Sequence, residues 1–372
     1  MSGQIDPIVM PKWGLAMEEG MLVEWQIEEG TQIEKGQEIA DIETTKITNI
    51  FESPTSGQIR RIVTSDGETV PVGFLLAVCA GDDVSDADID SYVEDFKANF
   101  VLEETAAGGA APESVEIAPG QSIRYLTMGN GDTPIVFVHG FGGGFDNWML
   151  NQEALSEDHK TYAIDLPGHG GSTKQVGEGD LAAMTGTLHD FMSIMKIERA
   201  HLVGHSMGGG IALNFAFDHP GQVASLSLIA PVGFGTEINM DYIDGFISQT
   251  RAKKLRAVLE LLVNDPAAIS TDMVEDIIKY KRLDGVGVAL GQLRDKIMPE
   301  GRQASQLKDR LDDLVAPVQV IWGRNDQIIP SSHAEGLSGR INVQVYDDTG
   351  HMPHLERASE VNTLIGDLAA SV

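Results

Sequence analysis

A serine set between glycines, at the point where an apolar strand gives way to a helical run, leaves a chain few folds to choose from. Here Gly204-His205-Ser206-Met207-Gly208-Gly209 follows the apolar run His201-Leu202-Val203 and precedes Ile211-Ala212-Leu213-Asn214-Phe215-Ala216. The glycines permit a turn too tight for side chains, which lifts the Ser206 hydroxyl to the end of a sheet and aims a helix N-terminus at any developing anion. The surroundings carry the strands such a turn needs. Ile135-Val136-Phe137-Val138, Thr161-Tyr162-Ala163-Ile164, Ser225-Leu226-Ser227-Leu228-Ile229 and Val318-Gln319-Val320-Ile321-Trp322 alternate with helical segments. Continuous apolar strands of this kind predict a buried, mostly parallel sheet with helices on its faces. Between Gly233 and about Leu314 the pattern is helical and offers no good strand, which predicts an inserted cap over the site.

A serine nucleophile needs a base, and imidazole is the side chain that takes its proton and returns it near neutral pH. Of ten histidines, His351 stands in a loop after Val343-Gln344-Val345-Tyr346 and before the last helix. Asp326 follows strand 318–322 in the same way, so Ser206, Asp326 and His351 all sit beyond strand C-termini, where open sheets place their sites. His354 is a near competitor for the role of base. His205 is expected to pack or bond beneath the turn, and His139 to serve as a structural residue. The backbone N–H of Met207, with that of Phe141 in the His139-Gly140-Phe141-Gly142-Gly143-Gly144 turn, is the expected oxyanion hole. The histidines lack paired ligand spacing and no metal is expected.

The first part of the chain is of another kind. Residues 5 to 80 alternate short β-branched runs with Gly, Pro and Asp turns, and they repeat. Ile27-Glu28-Glu29-Gly30-Thr31-Gln32-Ile33, then Gly36 and Ile39-Ala40, returns as Val63-Thr64-Ser65-Asp66-Gly67-Glu68-Thr69-Val70, then Gly73 and Leu76-Ala77. Two similar small sheets facing each other are predicted. Between the copies, Asp41 to Phe51 reads as two strands meeting at a tight turn near Thr45-Lys46, which presents Lys46 to solvent. An acidic, small-residue stretch from 81 to 113 reads as a linker, and Ile89, Tyr92, Val93, Phe96 and Phe100 within it have the spacing of a short amphipathic helix.

A net charge of −30 argues against nucleic-acid and membrane partners. The single cysteine, Cys79, excludes an intramolecular disulfide and reads as a core residue. With no leader pattern and no apolar stretch near the ~20 residues that span a bilayer, a cytoplasmic protein is expected.

These motifs carry two resemblances. Residues 114–372 resemble the α/β-hydrolase superfamily, with the His139-Gly140 turn, the Asp165-Leu166-Pro167-Gly168-His169-Gly170 loop, the Ser206 elbow, Asp326 and His351 in family order. Residues 5–80 resemble lipoyl domains, flattened β-sandwiches whose modified lysine lies at a hairpin tip, here Lys46 in Glu43-Thr44-Thr45-Lys46. Biotin, the competing group, goes with methionines beside the lysine, and Thr45 and Ile47 stand there instead. The expected organisation is thus multidomain: a lipoyl domain over 1–80, a linker over 81–113, and an α/β-hydrolase-fold domain over 114–372 with its cap over about 233–314. The combination resembles the dihydrolipoamide acetyltransferase components of acetoin dehydrogenase complexes.

That resemblance implies lipoate on Lys46 and acetyl transfer to coenzyme A; an acetyl-serine on Ser206 is the expected route, with direct thiol-to-thiol transfer as its alternative. Its implied partners are a thiamine-diphosphate-dependent dehydrogenase component and dihydrolipoamide dehydrogenase, and it implies a homo-oligomer. Lys and Arg residues gather in the cap, among them Arg251, Lys253, Lys254, Arg256, Lys279, Lys281, Arg282, Arg294 and Lys296. They suit either coenzyme A phosphates or a merely solvated helical surface. A plain esterase or thioesterase with an appended lipoyl domain, and a non-catalytic lipoyl carrier or scaffold, remain alternatives.

Overall fold

The computed structural model describes residues 5–11, 19–43, 48–81, 84–100, 111–337 and 339–372. The chain divides into two compact units, Met1–Gly109 with Ser270–Met273, and Ala110–Ile269 with Val274–Val372.

Among the described residues of the first unit, the strands run β1 (Ile5–Val9), β2 (Glu19–Trp25), β3 (Gln32–Ile33), β4 (Glu38–Glu43), β5 (Thr48–Glu52), β6 (Gly57–Ile62), β7 (Glu68–Pro71) and β8 (Leu75–Ala80). They form two four-stranded antiparallel sheets in the orders β1-β8-β6-β3 and β5-β4-β2-β7. The internal repeat of the sequence is a repeat of hydrogen bonds. Gly30 N donates to Ile59 O and Gly67 N to Leu22 O, both at 2.6 Å. Thr31 N donates to Glu28 O as Glu68 N does to Ser65 O, and Gln26 N to Ile39 O as Val63 N does to Leu76 O. Gly30, Gly36, Gly67 and Gly73 all have positive φ, between 77° and 92°, which is why glycine recurs at these turns. Ile8, Leu22, Ile33, Ile42, Ile59 and Leu76 are among the apolar side chains that fill the core of this unit.

β8 is buried along its whole length because both its faces are covered. Leu76, Ala77 and Cys79 join that core, while Leu75, Val78 and Ala80 meet Ile89 and Val93 of helix α1 (Asp86–Asn99). Helix α1 starts at Ser85, whose hydroxyl accepts from Asp88 N, and Arg60 of β6 pairs with Asp86 at 2.7 Å. The amphipathic stretch expected within the linker therefore belongs to the packed first unit. The connecting residues 101–110 lie outside the described residues, as does the expected hairpin tip with Lys46; β4 and β5 pair antiparallel up to Glu43 opposite Thr48.

The second unit begins with β9 (Glu113–Ala118) and β10 (Gln121–Met128), and continues through β11 (Ile135–Val138), α2 (Met149–Leu155), β12 (Thr161–Ile164), α3 (Leu181–Ile194), β13 (Ala200–His205), α4 (Met207–Asp218) and β14 (Val223–Ile229). Helices α5 (Met240–Ser248), α6 (Ala252–Leu259), α7 (Thr271–Lys281) and α8 (Val286–Ile297) follow, then β15 (Val318–Gly323), β16 (Asn342–Tyr346), α9 (Pro353–Glu356) and α10 (Ala358–Ala370). The sheet order is β16-β15-β14-β13-β11-β12-β10-β9, parallel from β16 to β12, with β10 and β9 antiparallel at one edge. Among the described residues no strand interrupts α5 to α8, and no helix is long and apolar enough to cross a membrane.

Truncating Ile89 to Ala empties the contact that seats α1 on β8 and should cost about 2–4 kcal/mol. Amide exchange in the full chain should then quicken over 86–99 while the β2 and β4 amides stay protected; unchanged protection of α1 would show that its packing rests elsewhere.

Candidate active site

β13 delivers Ser206 to the C-terminal end of the sheet in a backbone conformation that L-residues seldom adopt, φ +54° and ψ −116°. Neighbouring backbone leaves no room for side chains around it. A Cβ on Gly208 would stand 2.1 Å from Val138 O, and one on Gly204 would stand 2.4 Å from Gly208 O. The turn is closed by Ser206 N donating to Ile229 O at 2.9 Å and by Ser206 O accepting from Gly210 N and Val232 N.

Two strands on, the loop after β15 carries Asp326, and the loop after β16 carries His351. His351 Nδ1 lies 2.7 Å from Asp326 Oδ2. Asp326 is otherwise saturated: Oδ2 accepts from Trp322 Nε1, and Oδ1 from the N–H groups of Ile328 and Ile329 at 2.8 and 2.9 Å. With Nδ1 fixed by the carboxylate, Nε2 is the nitrogen left to exchange a proton. Ser206 Oγ makes no hydrogen bond among the described residues, so the Asp326–His351 contact is formed and a Ser206–His351 contact is not, a condition that catalytic triads often show before substrate binds. The site is enclosed: Ser206 is 6% exposed and His351 1%.

His205, the residue before Ser206, braces His351. His205 Nε2 is 2.8 Å from His351 O, and their rings lie 4.6 Å apart. The nearby competitor, His354, has neither ring nitrogen hydrogen-bonded; it lies between Trp148 and His205, each centroid at 4.5 Å. Of His351 and His354, His351 is the one with an acid partner.

On the other flank, the turn after β11 brings up Phe141. The Phe141 and Met207 N–H groups have no acceptor among the described residues, whereas Gly142 N donates to His169 Nε2 at 3.0 Å. His139 is buried, with Nδ1 2.7 Å from Gly140 O and Nε2 accepting from Leu166 N. It holds the turn and has no free nitrogen for catalysis. Asp165, absent from the sequence reading as a functional residue, supports this region by accepting from Phe145 N, Gly171 N and Arg124 Nε.

Several of the cap's basic residues are used locally. Arg294 pairs with Asp244 and Asp295, Lys279 with Asp276, and Arg256 and Lys281 donate to the carbonyls of Ile269 and Gln249. Burial lowers the Lys281 amine to about 8. Arg251, Lys253 and Lys254 are exposed around the start of α6. Among the described residues no group of three or more His, Cys, Asp or Glu is arranged to hold a metal ion.

Residues 133–358 match the family model of the α/β-hydrolase fold, and residues 6–79 that of the biotin-requiring enzymes, whose model spans biotin and lipoyl domains. The dihydrolipoyllysine-residue acetyltransferase component of the acetoin cleaving system of Cupriavidus necator is 44% identical, over 98% of this chain and 97% of that protein. Its counterpart in Pseudomonas putida is 43% identical over 96% and 97%. The chain belongs to this family of acetyltransferase components. Among solved structures, a meta-cleavage product hydrolase from Pseudomonas fluorescens IP01 superposes with a TM-score of 0.63 at 22% identity, covering 70% of this chain and 97% of that one, a likeness of fold.

In this acetyltransferase component the histidines around His351 stay neutral. Burial, then the neighbouring imidazoles, holds His205 well below the usual range; burial, then His351, takes His354 to about 3. Burial also lowers His139, and it holds His169 well below its ordinary value. The unfolded chain binds protons at these histidines below about pH 6.5, and the folded chain refuses them until far lower. Their contribution to stability is therefore full above that pH and is lost as the pH falls towards 3. The melting temperature should decline from pH 7 to 5, and His354→Phe, which removes one such group and keeps a ring against Trp148, should flatten the decline. An equal slope in the variant would remove His354 from the account.

Proposed function

We propose that the second unit transfers an acetyl group from a lipoyl arm on Lys46 to coenzyme A by way of an acetyl-serine at Ser206. The observation that carries this reading is the Asp326–His351 pair, hydrogen-bonded at 2.7 Å on loops beside the strained Ser206 elbow, in a chain whose other unit has the doubled sheet of a lipoyl domain. The β4–β5 register supports Lys46 as the attachment point: the paired strands end at Glu43 and Thr48, and Lys46 lies among the four residues joining them. When attached, the lipoyl group supplies an acetyl thioester at the end of a flexible arm.

The chain's own groups do the rest. His351 Nε2 takes the Ser206 proton as Oγ bonds to the thioester carbon, and the carbonyl electron pair moves onto oxygen, where the Phe141 and Met207 N–H groups receive it. Collapse breaks the C–S bond, and His351 returns the proton to the leaving sulfur. The coenzyme A thiol then gives its proton to His351, its sulfur attacks the acetyl-serine, and Oγ leaves with that proton. Asp326 holds the imidazole in the required tautomer and stabilises its protonated form. Enclosure of Ser206 disfavours water as acceptor and so favours transfer over the esterase alternative.

Membership of an acetoin cleaving system implies partner dehydrogenase components. The arm has to be acetylated and its dithiol reoxidised in every cycle. A thiamine-diphosphate-dependent dehydrogenase component and dihydrolipoamide dehydrogenase suit those two tasks, with this chain as a homo-oligomer in the cytoplasm.

With free acetyl-dihydrolipoamide as donor, acetyl-CoA should form in preference to acetate. Ser206→Ala should lower that rate by about 10³-fold or more and abolish trapping of an acetyl-serine peptide. Lys46→Arg should keep transfer from the free donor and lose the mass of the attached group. Full transferase activity in Ser206→Ala would refute the covalent route.

A further inference from the structure

We propose that Tyr242, on cap helix α5, is a positioning residue that sets the oxyanion hole, so that seating of the cap and assembly of the hole are one event. The proposal rests on the reading of Ser206 as nucleophile and the Phe141 amide as an oxyanion donor. The Phe141 N–H lies in the Gly140–Phe141 peptide, and its aim at a reacting carbonyl is kept when the peptide on the other side of the Phe141 Cα is held as well. The first, Gly140–Phe141, is held through Gly140 O by His139 Nδ1 at 2.7 Å and by Gly143 N at 3.2 Å. The second, Phe141–Gly142, is held at both ends by elements distant in sequence. Tyr242 Oη donates to Phe141 O at 3.1 Å, and Gly142 N donates to His169 Nε2 at 3.0 Å. Of the N–H groups of residues 141 to 143, that of Phe141 alone has no acceptor among the described residues.

The seat of α5 is as closely defined. Phe246, one turn after Tyr242 on the same helix face, lies against Gly142, where a Cβ would stand 2.6 Å from its ring. Gly142 has φ +78°, so a side chain there would be strained as well as blocked. At its N-terminus, α5 is fastened to the acid loop: Asn239 N donates to Ile328 O and Asn239 Nδ2 to Gln327 O, both at 2.8 Å, while Ile328 N donates to Asp326. One short helix thus spans from the loop of the triad acid to the loop of the oxyanion donor. Burial raises the Tyr242 phenol far above its ordinary range, so it remains a donor throughout the working pH.

A tyrosine that merely satisfies a buried carbonyl would affect stability and leave the chemical step alone. A positioning residue affects the transition state, because the Phe141 N–H, whose residue Tyr242 anchors through the following peptide, meets charge only there. Tyr242→Phe keeps the ring and removes the hydroxyl. In the full chain, with free acetyl-dihydrolipoamide and coenzyme A, kcat should fall by about tenfold, a fraction of what loss of a whole oxyanion donor costs. Both KM values should stay within about twofold. Affinity for a trifluoromethyl ketone thioester analogue, which forms a tetrahedral oxyanion with Ser206, should fall with kcat. His169→Leu, which removes the acceptor of Gly142 N and so frees the same peptide from its other side, should give the same pattern if Tyr242→Phe proves too unstable to assay. The double variant should lose less than the product of the two single losses. Unchanged kcat and analogue affinity in Tyr242→Phe, alongside an inactive Ser206→Ala, would overturn this proposal alone. Full activity in Ser206→Ala would instead overturn the reading beneath it.

Discussion

Everything at the C-terminal end of the second unit's sheet is arranged around the left-handed backbone of Ser206. A non-glycine residue there costs about 1–3 kcal/mol and persists only where its surroundings leave it no alternative. Here its N–H is bonded to Ile229 at the end of β14, and its carbonyl to Gly210 and Val232. The first turn of α4 lies so close to the end of β11 that Gly208 has no space for a methyl group. The strain extends beyond Ser206: Ala230 has φ +43° and Asp348 +49°, each just past a parallel strand. Strand ends in this sheet are bent to bring side chains together, and the buried apolar strands beneath them supply the rigidity that holds the bends.

The cap is bonded into that arrangement. His351 N donates to Leu262 O at 2.8 Å, Asn325 Nδ2 to Asn264 Oδ1 at 2.7 Å, and Glu356 accepts from both Asn264 N and Gly350 N. With Asn239 at the Asp326 loop and Tyr242 at the Phe141 loop, each loop that carries a proposed catalytic group has a partner in the segment between β14 and β15. Such a cap shapes the site as well as covering it, since its displacement would break hydrogen bonds to three loops at once.

Much of this was legible in the sequence because glycine and chain order carry it. The doubled sheet announced itself through Gly30, Gly36, Gly67 and Gly73, which recur because each turn needs positive φ. The parallel strands showed as unbroken apolar runs. β9 and β10 left no apolar run to read because β9 buries no residue and β10 buries only Ile123, Tyr125 and Leu126, with Glu113, Glu116 and Arg124 among the rest. The choice between His351 and His354, three positions apart, was open in the sequence; the hydrogen bond to Asp326 separates them. Tyr242 gave no local signal at all, because its role depends on a carbonyl 101 positions earlier in the chain. His169 stood in a loop that the family resemblance singled out, but a buried histidine accepting from a backbone N–H is decided by packing.

The chemistry proposed for the site places unusual demands on access. An ester hydrolase admits water as a matter of course; an acetyl-serine that must survive until a thiol arrives cannot. Both thiols in the proposed cycle sit at the ends of long, thin chains, the lipoyl-lysine arm and the pantetheine arm of coenzyme A. A narrow way in that suits one suits the other, and the two enter in turn, which is the ping-pong order a covalent intermediate imposes. Neutral His205 and His354 fit the same demand: with the buried imidazoles around it uncharged, His351 takes and returns its proton without a competing positive charge beside it. In the proposed cycle the pinned oxyanion loop serves attack by either nucleophile, and selection of thiol over water rests on enclosure, because an acyl-enzyme shielded from solvent turns over only when a reactive sulfur is delivered to it.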